Sequence, residues 1–258
     1  MEQMRAGHAP ASLLIGCNPK SALDAEDNVT MATTRTAEQT KQYYVAKMGE
    51  KLGSLYYALW QEVCWLYAEW REYVEVYGTK ASRIALLNEA APSFFRLVQD
   101  GLFETTVLKI ARLSDPPKSV GKPNLTVRQL PALIADKQVR DRIEASIKTA
   151  TAAAVFARDW RNRRFAHRDL YLSLGLASEP LEVATREKVQ ASINALAELL
   201  NLVSNHYLGR TTAFEITGNL GGALTLIRIL DDGLRRKAER MAPARGELAQ
   251  NNSRRQNL

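Results

Sequence analysis

The sequence predicts an all-α protein, a helical bundle with disordered N-terminal and C-terminal tails. Apolar residues recur every three or four positions along several segments, which is the period of helices with one buried face. These segments are rich in Ala, Leu, Glu, Lys, Arg and Gln, which favour helices. Only 14 Gly and 9 Pro interrupt the 258 residues, and 46% of the residues are hydrophobic, which is enough for a full core.

The first part of the chain is predicted to hold a disordered leader and a long helical stretch. Residues 1–36 show neither helical nor strand periodicity, and the sequence leaves open whether Met1 or Met31 is the natural start. From Glu38 to Val76 the apolar spacing predicts one long helix or two helices in tandem. The many aromatic residues of this stretch favour a core or a dimer interface over a surface that stacks nucleic-acid bases.

The middle of the chain continues the helical pattern. Pro92 predicts a kink or the first turn of a new helix, because proline lacks the amide hydrogen that a helix interior needs. This helix is expected to end at Leu113, where the sequence Ser-Asp-Pro-Pro follows. A polar loop is predicted at 118–124, and Thr126 begins a motif that is typical of a capped short helix.

Three further helices complete the predicted bundle. Asp136 is expected to start a helix that leads into an arginine-rich stretch. Thr185 to Tyr207 has the pattern of a second amphipathic helix, and Ala223 to Met241 forms the last one. The folded domain is therefore predicted at 37–240, and a basic disordered tail is predicted at 241–258.

The positive charge of the chain is concentrated in two places. The net charge is +7, whereas Arg158–Arg168 alone holds five arginines and one aspartate, and Arg235–Leu258 holds seven basic and two acidic residues. The terminal cluster is typical of a helix end with a soluble tail. The internal cluster also contains His167, which can accept and donate a proton near neutral pH. Local positive charge around such a group points to a phosphodiester ligand.

The spacing within the internal cluster restricts which side chains can share one site. Arg161 and His167 are six residues apart, which on an ideal helix turns them about 120° away from each other. Arg163 and Arg164 would instead share the face of His167. Arg161 can therefore join His167 only if the helix ends or bends between them, or if a second subunit contributes one of the two.

Several classes of protein and site are not expected. The two cysteines, Cys17 and Cys64, show neither a disulfide framework nor a metal-binding spacing. No apolar run reaches the length of a membrane span, and no signal peptide is recognised. We therefore expect a cytoplasmic protein with no membrane partner, no metal and no other cofactor. Arg112 and Asp115 are expected to form an ion pair at a helix end.

The arginine-rich stretch resembles the R-x(4–6)-H pattern of the HEPN superfamily. Arg161 and His167 supply its two ends, and Asn162 is the polar residue that often follows the arginine. Two more blocks, Leu86–Phe95 and Ile110–Asp115, make the sequence similar to the abortive-infection, AbiU-like branch of that superfamily. This resemblance is more specific than the short pattern alone, because three blocks occur in the same order.

The resemblance implies a helical bundle that dimerises and an endoribonuclease that needs no metal, a toxin in phage defence by abortive infection or in a toxin–antitoxin pair. His167 would be the general acid or base, Arg161 would stabilise the transition state, and Asn162 would orient the histidine or a phosphate oxygen. Flanking phosphates would be bound by three cations, Arg163, Arg164 and Arg168. The implied partners are RNA, a second copy of the chain and an antitoxin protein.

Two alternatives stay open. A helical module without catalytic activity could bind RNA or an acidic protein through the basic stretch, since HEPN domains that have lost activity are known. A lone histidine near a helix end often interacts only with the last carbonyl groups and the helix dipole. Tyr171 or another residue near the motif could also be a modification site for a neutralising partner.

Overall fold

The computed structural model describes the backbone of residues 19–20, 35–166, 169–176, 179–215 and 221–256. Helices make up most of these residues, so the all-α prediction is confirmed. The α-helices are α1 (Ala37–Met48), α2 (Glu50–Tyr77), α3 (Ala81–Ala90), α4 (Pro92–Leu113), α5 (Lys137–Ala153), α6 (Val155–Trp160), α7 (Leu170–Ser173), α8 (Arg186–Leu208) and α9 (Ala223–Gln256). None of the described helices is both long enough and apolar enough to cross a membrane.

Short extended and 3-10 segments connect the helices. Strand β1 (Pro19–Lys20) pairs in antiparallel fashion with β4 (Thr211–Thr212), and β2 (Lys118–Ser119) pairs with β3 (Lys122–Pro123). The β2–β3 hairpin occupies the predicted polar loop. A 3-10 turn, Val127–Gln129, follows, and the preceding Thr126 caps it by accepting a hydrogen bond from the amide of Arg128. A second 3-10 turn, Pro131–Leu133, comes next, so two short 3-10 turns form where the sequence predicts one short helix.

The helix predicted from Glu38 to Val76 is two helices in tandem. Gly49 separates α1 from α2 and has a φ of 83°, a backbone conformation that residues with a β-carbon rarely adopt. Gly53 then allows the two helices to approach closely, because a β-carbon there would lie 2.6 Å from the carbonyl oxygen of Tyr44 and from the α-carbon of Val45. The two glycines therefore decide how α2 folds back against α1.

The chain divides into two compact units. Unit 1 comprises the described residues within Met1–Ala68 and Thr106–Ile216, and unit 2 those within Glu69–Thr105 and Thr217–Leu258. The divisions fall inside α2 and α4. The predicted domain limits at 37 and 240 stay a prediction.

The core of unit 1 is built around α5 and α8, which pack side by side. Ile143 and Ala150 of α5 are buried there, as are Ile193 and Leu196 of α8. The hydroxyl of Ser192 donates a hydrogen bond of 2.9 Å to the carbonyl of Ala153, the last residue of α5. This packing fixes the C-terminal end of α5, from which the arginine-rich stretch continues.

Unit 2 has a smaller core of its own. Val76, Leu87, Phe95 and Ala223 are buried together, and α3 packs against α9. The carboxylate of Glu72 accepts a hydrogen bond of 2.5 Å from the amide of Ala223 and so caps the first turn of α9.

Parts of both predicted tails lie within the described residues. Most of the predicted leader, 1–36, lies outside the described residues, although 19–20 pair with β4 and Thr36 forms a capping box on α1. Helix α9 reaches Gln256, well beyond Met241, where the sequence places its end. Propensity alone does not mark that end, because the residues after Met241 include strong helix formers as well as glycine and proline.

Candidate active site

The arginine-rich stretch lies where a helix widens and ends. Helix α5 stops at Ala153, α6 continues to Trp160, and residues Arg161–Phe165 form a π-helical turn. The amide of Ala166 donates to the carbonyl of Arg161 at 2.8 Å, five residues back. Single π turns of this kind occur often at functional sites.

The backbone closes more widely still after this turn. The amide of Asp169 donates to the carbonyl of Arg163 at 2.8 Å, six residues back, and the side chain of Asp169 then caps α7 by accepting from the amide of Leu172. The straight helix thus ends within the motif.

The guanidinium of Arg161 is held by two neighbours. Its Nη1 donates to Oδ2 of Asp115, and its Nε donates to Oδ1 of Asn162 at 3.0 Å. The side chains of Arg161 and Asp115 are 24% and 16% exposed, so the ion pair is largely shielded from water. A guanidinium carries more N–H donors than these two bonds use, and Arg161 can therefore still donate to a phosphate.

Asp115 is itself fixed by the loop that follows α4. The buried hydroxyl of Thr126 lies 2.8 Å from the carbonyl of Asp115 and 2.9 Å from that of Leu113. Ser114, also buried, places its hydroxyl against the carbonyls of the last turn of α4. These contacts anchor the backbone on both sides of the carboxylate, so Asp115 presents a rigid acceptor to Arg161.

The predicted ion pair between Arg112 and Asp115 does not form, so this prediction is wrong. Asp115 pairs instead with Arg161, 46 residues further along the chain, and Nη2 of Arg112 lies 3.9 Å from Oε2 of Glu62. Because α4 ends at Leu113, the direction of the Asp115 side chain is set by the loop and not by helical spacing from Arg112.

Arg158 supports the junction between α5 and α6. Its Nη2 donates to the carbonyl of Thr151 at 2.9 Å, and its Nη1 donates to the hydroxyl of Ser114 at 3.3 Å. Burial lowers the pKa of Arg158, and the nearby carboxylate of Asp115 acts in the opposite direction. An arginine remains charged under any such shift, so this side chain is a structural cation beside the site.

Arg163 binds the backbone of its own chain. Its Nη2 donates to the carbonyl of Glu179 at 2.6 Å, and its Nη1 lies 3.3 Å from the carbonyl of Pro180 and 3.5 Å from a carboxylate oxygen of Asp159. The structure thus turns Arg163 towards the segment before α8. Its predicted role as a phosphate ligand is not tested by these contacts.

Two neighbours of Arg163 hold the same segment. The carboxylate of Asp159 accepts from the amide of Glu182 at 2.8 Å, and the indole of Trp160 donates to the carbonyl of Glu182 at 2.7 Å. The guanidinium of Arg164 lies over the indole ring of Trp160, 5.6 Å from its centre, and the side chain of Arg164 is exposed. Arg164 therefore presents its charge at the surface beside the motif.

The structure places some of the predicted site residues together and leaves others undescribed. Arg161 and Asn162 share one site, whereas Arg163 points to the segment at 179–180. His167 and Arg168 lie outside the described residues. Sequence reasoning missed Asp115 as the partner of Arg161. The signal that could have identified Asp115 is its position at the end of the block Ile110–Asp115, in the loop two residues after the end of α4.

No cluster of three or more His, Cys, Asp or Glu side chains suited to a metal ion occurs within the part of the chain that is described. The predicted independence from metals and other cofactors stays a prediction.

Comparison with known proteins identifies the family. The sequence model of the family HEPN_AbiU2, described as AbiU2, matches residues 49–220, about two thirds of the chain. No curated protein matches this chain, and no solved structure does so either. The matched region contains the π turn, Arg161 and Asp115. The chain therefore belongs to the AbiU2 family of HEPN domains, in agreement with the resemblance of its three sequence blocks.

Proposed function

We propose that this protein is an endoribonuclease of the HEPN type that cleaves RNA without a metal ion. It would act as a toxin in phage defence by abortive infection, or in a toxin–antitoxin pair restrained by an antitoxin protein. The observation that carries the proposal is the placement of Arg161. Its guanidinium is shielded and oriented by Asp115 and Asn162 at a helix end, in a chain of the AbiU2 family.

In the proposed reaction the ribose 2′-hydroxyl attacks the adjacent phosphorus. His167 takes the hydroxyl proton as the 2′-oxygen forms its bond to phosphorus, and a proton returns to the 5′-oxygen as its bond to phosphorus breaks. The products are a 2′,3′-cyclic phosphate and a free 5′-hydroxyl. No water or redox partner is needed, because the nucleophile belongs to the RNA.

Arg161 would stabilise the negative charge that develops on the phosphoryl oxygens. A cation that is already oriented and partly shielded from water stabilises a transition state more than a mobile surface cation does. Asn162 keeps Nε of Arg161 in place, and Arg164 and Arg168 would bind neighbouring phosphates along the strand. Arg163 would contribute indirectly, by holding the segment at 179–180.

We further propose that two copies of the chain form a homodimer through the region of α7. Leu170, Tyr171 and Leu174 are exposed apolar or aromatic side chains within a few residues of the motif. Exposed apolar groups that lie close together favour a protein partner. A second copy at this position could also combine an arginine and a histidine that a straight helix keeps apart, because Arg161 and His167 of one site could then come from different protomers.

The test is RNA cleavage in the presence of EDTA by the wild type and by the variants Arg161→Ala and His167→Ala. Loss of either side chain should reduce the rate by roughly a hundredfold or more, and the wild-type product should carry a 2′,3′-cyclic phosphate. Arg142→Ala, which removes an exposed arginine from α5, is the matched control and should cleave like the wild type. Circular dichroism confirms that each variant folds. Equal rates in all four proteins would refute the assignment of the two residues.

A second candidate is a binding module without catalytic activity. The observation that favours it is that Arg161 and Arg163 both bond to acceptors of their own chain, as structural arginines do. This candidate predicts RNA binding that weakens steeply with salt. It also predicts that the wild type forms no cyclic-phosphate product.

A further inference from the structure

A cavity of about 210 Å³ lies directly beside the pair formed by Asp115 and Arg161. Its walls come from α2, from the end of α4 and from the loop after it. The lining residues are Glu62, Arg112, Leu113, Asp115, Asn124 and Leu125. Pockets that enclose whole drug-sized ligands are larger, roughly 300 Å³ or more. The cavity therefore suits a single ring system, and Asp115 connects it to the guanidinium of Arg161.

One wall of the cavity presents an acceptor and a donor side by side. Oε2 of Glu62 and Nη2 of Arg112 are 3.9 Å apart, which is longer than a hydrogen bond. The two side chains are 35% and 62% exposed, so a ligand can reach both of them. A carboxylate accepts two hydrogen bonds in parallel, and a guanidinium only donates.

The other walls are apolar or rigid. Leu125, which is 42% exposed, offers aliphatic surface against which a flat ring can lie, and the buried Leu113 closes the wall behind it. Asn124 is held by two hydrogen bonds of 2.8 Å. Its side-chain NH₂ donates to the carbonyl of Pro116, and its backbone carbonyl accepts from the side chain of Gln129. Neither of these bonds uses the side-chain oxygen of Asn124, which can serve as a further acceptor.

We propose that this cavity binds a guanine base of the RNA, next to the phosphate held by Arg161. The Watson–Crick edge of guanine carries two adjacent donors, N1–H and N2–H, and one acceptor, O6. The carboxylate of Glu62 can accept from both donors while Arg112 donates to O6. Adenine, cytosine and uracil each offer a carboxylate only one donor position on that edge, so the arrangement distinguishes guanine from all three.

This inference rests on the proposed function, which places an RNA phosphate at Arg161, but its test does not require the protein to cleave RNA. The probes are the four nucleoside 3′-monophosphates, and the readout is equilibrium binding by titration calorimetry, which does not need cleavage. The wild type should bind 3′-GMP about tenfold more tightly than 3′-AMP, 3′-CMP or 3′-UMP, since one bidentate base contact gives discrimination of that order.

Variants assign the preference to the cavity. Glu62→Gln replaces one acceptor oxygen by an NH₂ group, and it should reduce the affinity for 3′-GMP about tenfold while it leaves the other three nucleotides unchanged. Arg112→Gln should also reduce the 3′-GMP preference. Glu144→Gln makes the same charge change as the first variant on the exposed side of α5, and it should bind like the wild type. Circular dichroism checks that all three proteins are folded.

The possible results separate the two proposals. A 3′-GMP preference that disappears in Glu62→Gln supports the guanine pocket even if the protein cleaves no RNA, in which case only the nuclease proposal fails. Equal binding of the four nucleotides, no measurable binding of any of them, or a preference that survives in Glu62→Gln overturns the pocket. RNA cleavage without base preference would leave the nuclease proposal standing.

Discussion

The ion pair between Asp115 and Arg161 should make a measurable contribution to the stability of the fold. The two side chains are 16% and 24% exposed, so the pair is intermediate between exposed pairs, which contribute at most about 1 kcal/mol, and fully buried ones, whose disruption costs about 3–5 kcal/mol. Hydrogen bonds to charged groups contribute roughly 1.5–3 kcal/mol. We therefore expect a coupling of roughly 2 kcal/mol between the two side chains.

A double-mutant cycle measures this coupling. The free energy of unfolding in urea is determined for the wild type, Asp115→Ala, Arg161→Ala and the double variant, and the difference between the summed single effects and the double effect is the coupling. Asp115→Ala alone should lower the free energy of unfolding by roughly 2 kcal/mol. For a chain of this size that corresponds to a melting temperature about 4–8 °C lower.

The matched control is the exposed pair of Arg96 and Asp100 on α4, which are 2.9 Å apart and one helical turn from each other. Its coupling should stay below about 0.5 kcal/mol, as measured for such helix pairs. A coupling between Asp115 and Arg161 no larger than that of the control pair would refute the reasoning. The orientation of Arg161 would then not depend on Asp115.

Two further predictions concern packing and pH. Gly53→Ala should destabilise the protein by about 1–3 kcal/mol in urea unfolding, because the new β-carbon would overlap the backbone of Tyr44. The control Gly101→Ala in α4 has open space around the new β-carbon and should stabilise the protein by about 0.5–1 kcal/mol. Equal effects of the two substitutions would contradict the close approach of α1 and α2. Burial raises the pKa values of Tyr44, Tyr56 and Tyr67 above the usual value near 10, so the folded chain holds these phenolic protons more tightly than the unfolded chain. Their stabilising effect is complete below about pH 10 and is lost as the pH rises towards the raised values, so the free energy of unfolding should fall as the pH rises above about 10. Tyrosine ionisation near pH 10, followed by ultraviolet absorbance, without loss of stability would contradict this.

Several starts and stops of the helices could be predicted because they depend on local signals. Pro92 opens α4, and the side chains of Asp136 and Thr185 accept hydrogen bonds from the first turns of α5 and α8. Gly209 ends α8 with a positive φ. Each of these signals acts within a few residues of its own position, so periodicity and capping chemistry are sufficient to locate it.

The family could likewise be recognised from the sequence, since the order of the three blocks is a property of the chain alone. The spacing of Arg161 and His167 also showed that a straight helix could not bring the two together. It could not show how the helix departs from straightness. The π turn at Arg161–Phe165 and the bond from Asp169 to Arg163 answer that for the described residues.

The partners of the motif arginines were decided only by the tertiary structure. Asp115 follows the end of α4 and meets Arg161 across 46 residues, and Arg163 reaches the carbonyls of Glu179 and Pro180. Beyond a helix end the direction of a side chain no longer follows helical spacing. It follows instead from how separate segments pack and from which buried polar groups need partners, and neither is encoded in the residues next to it.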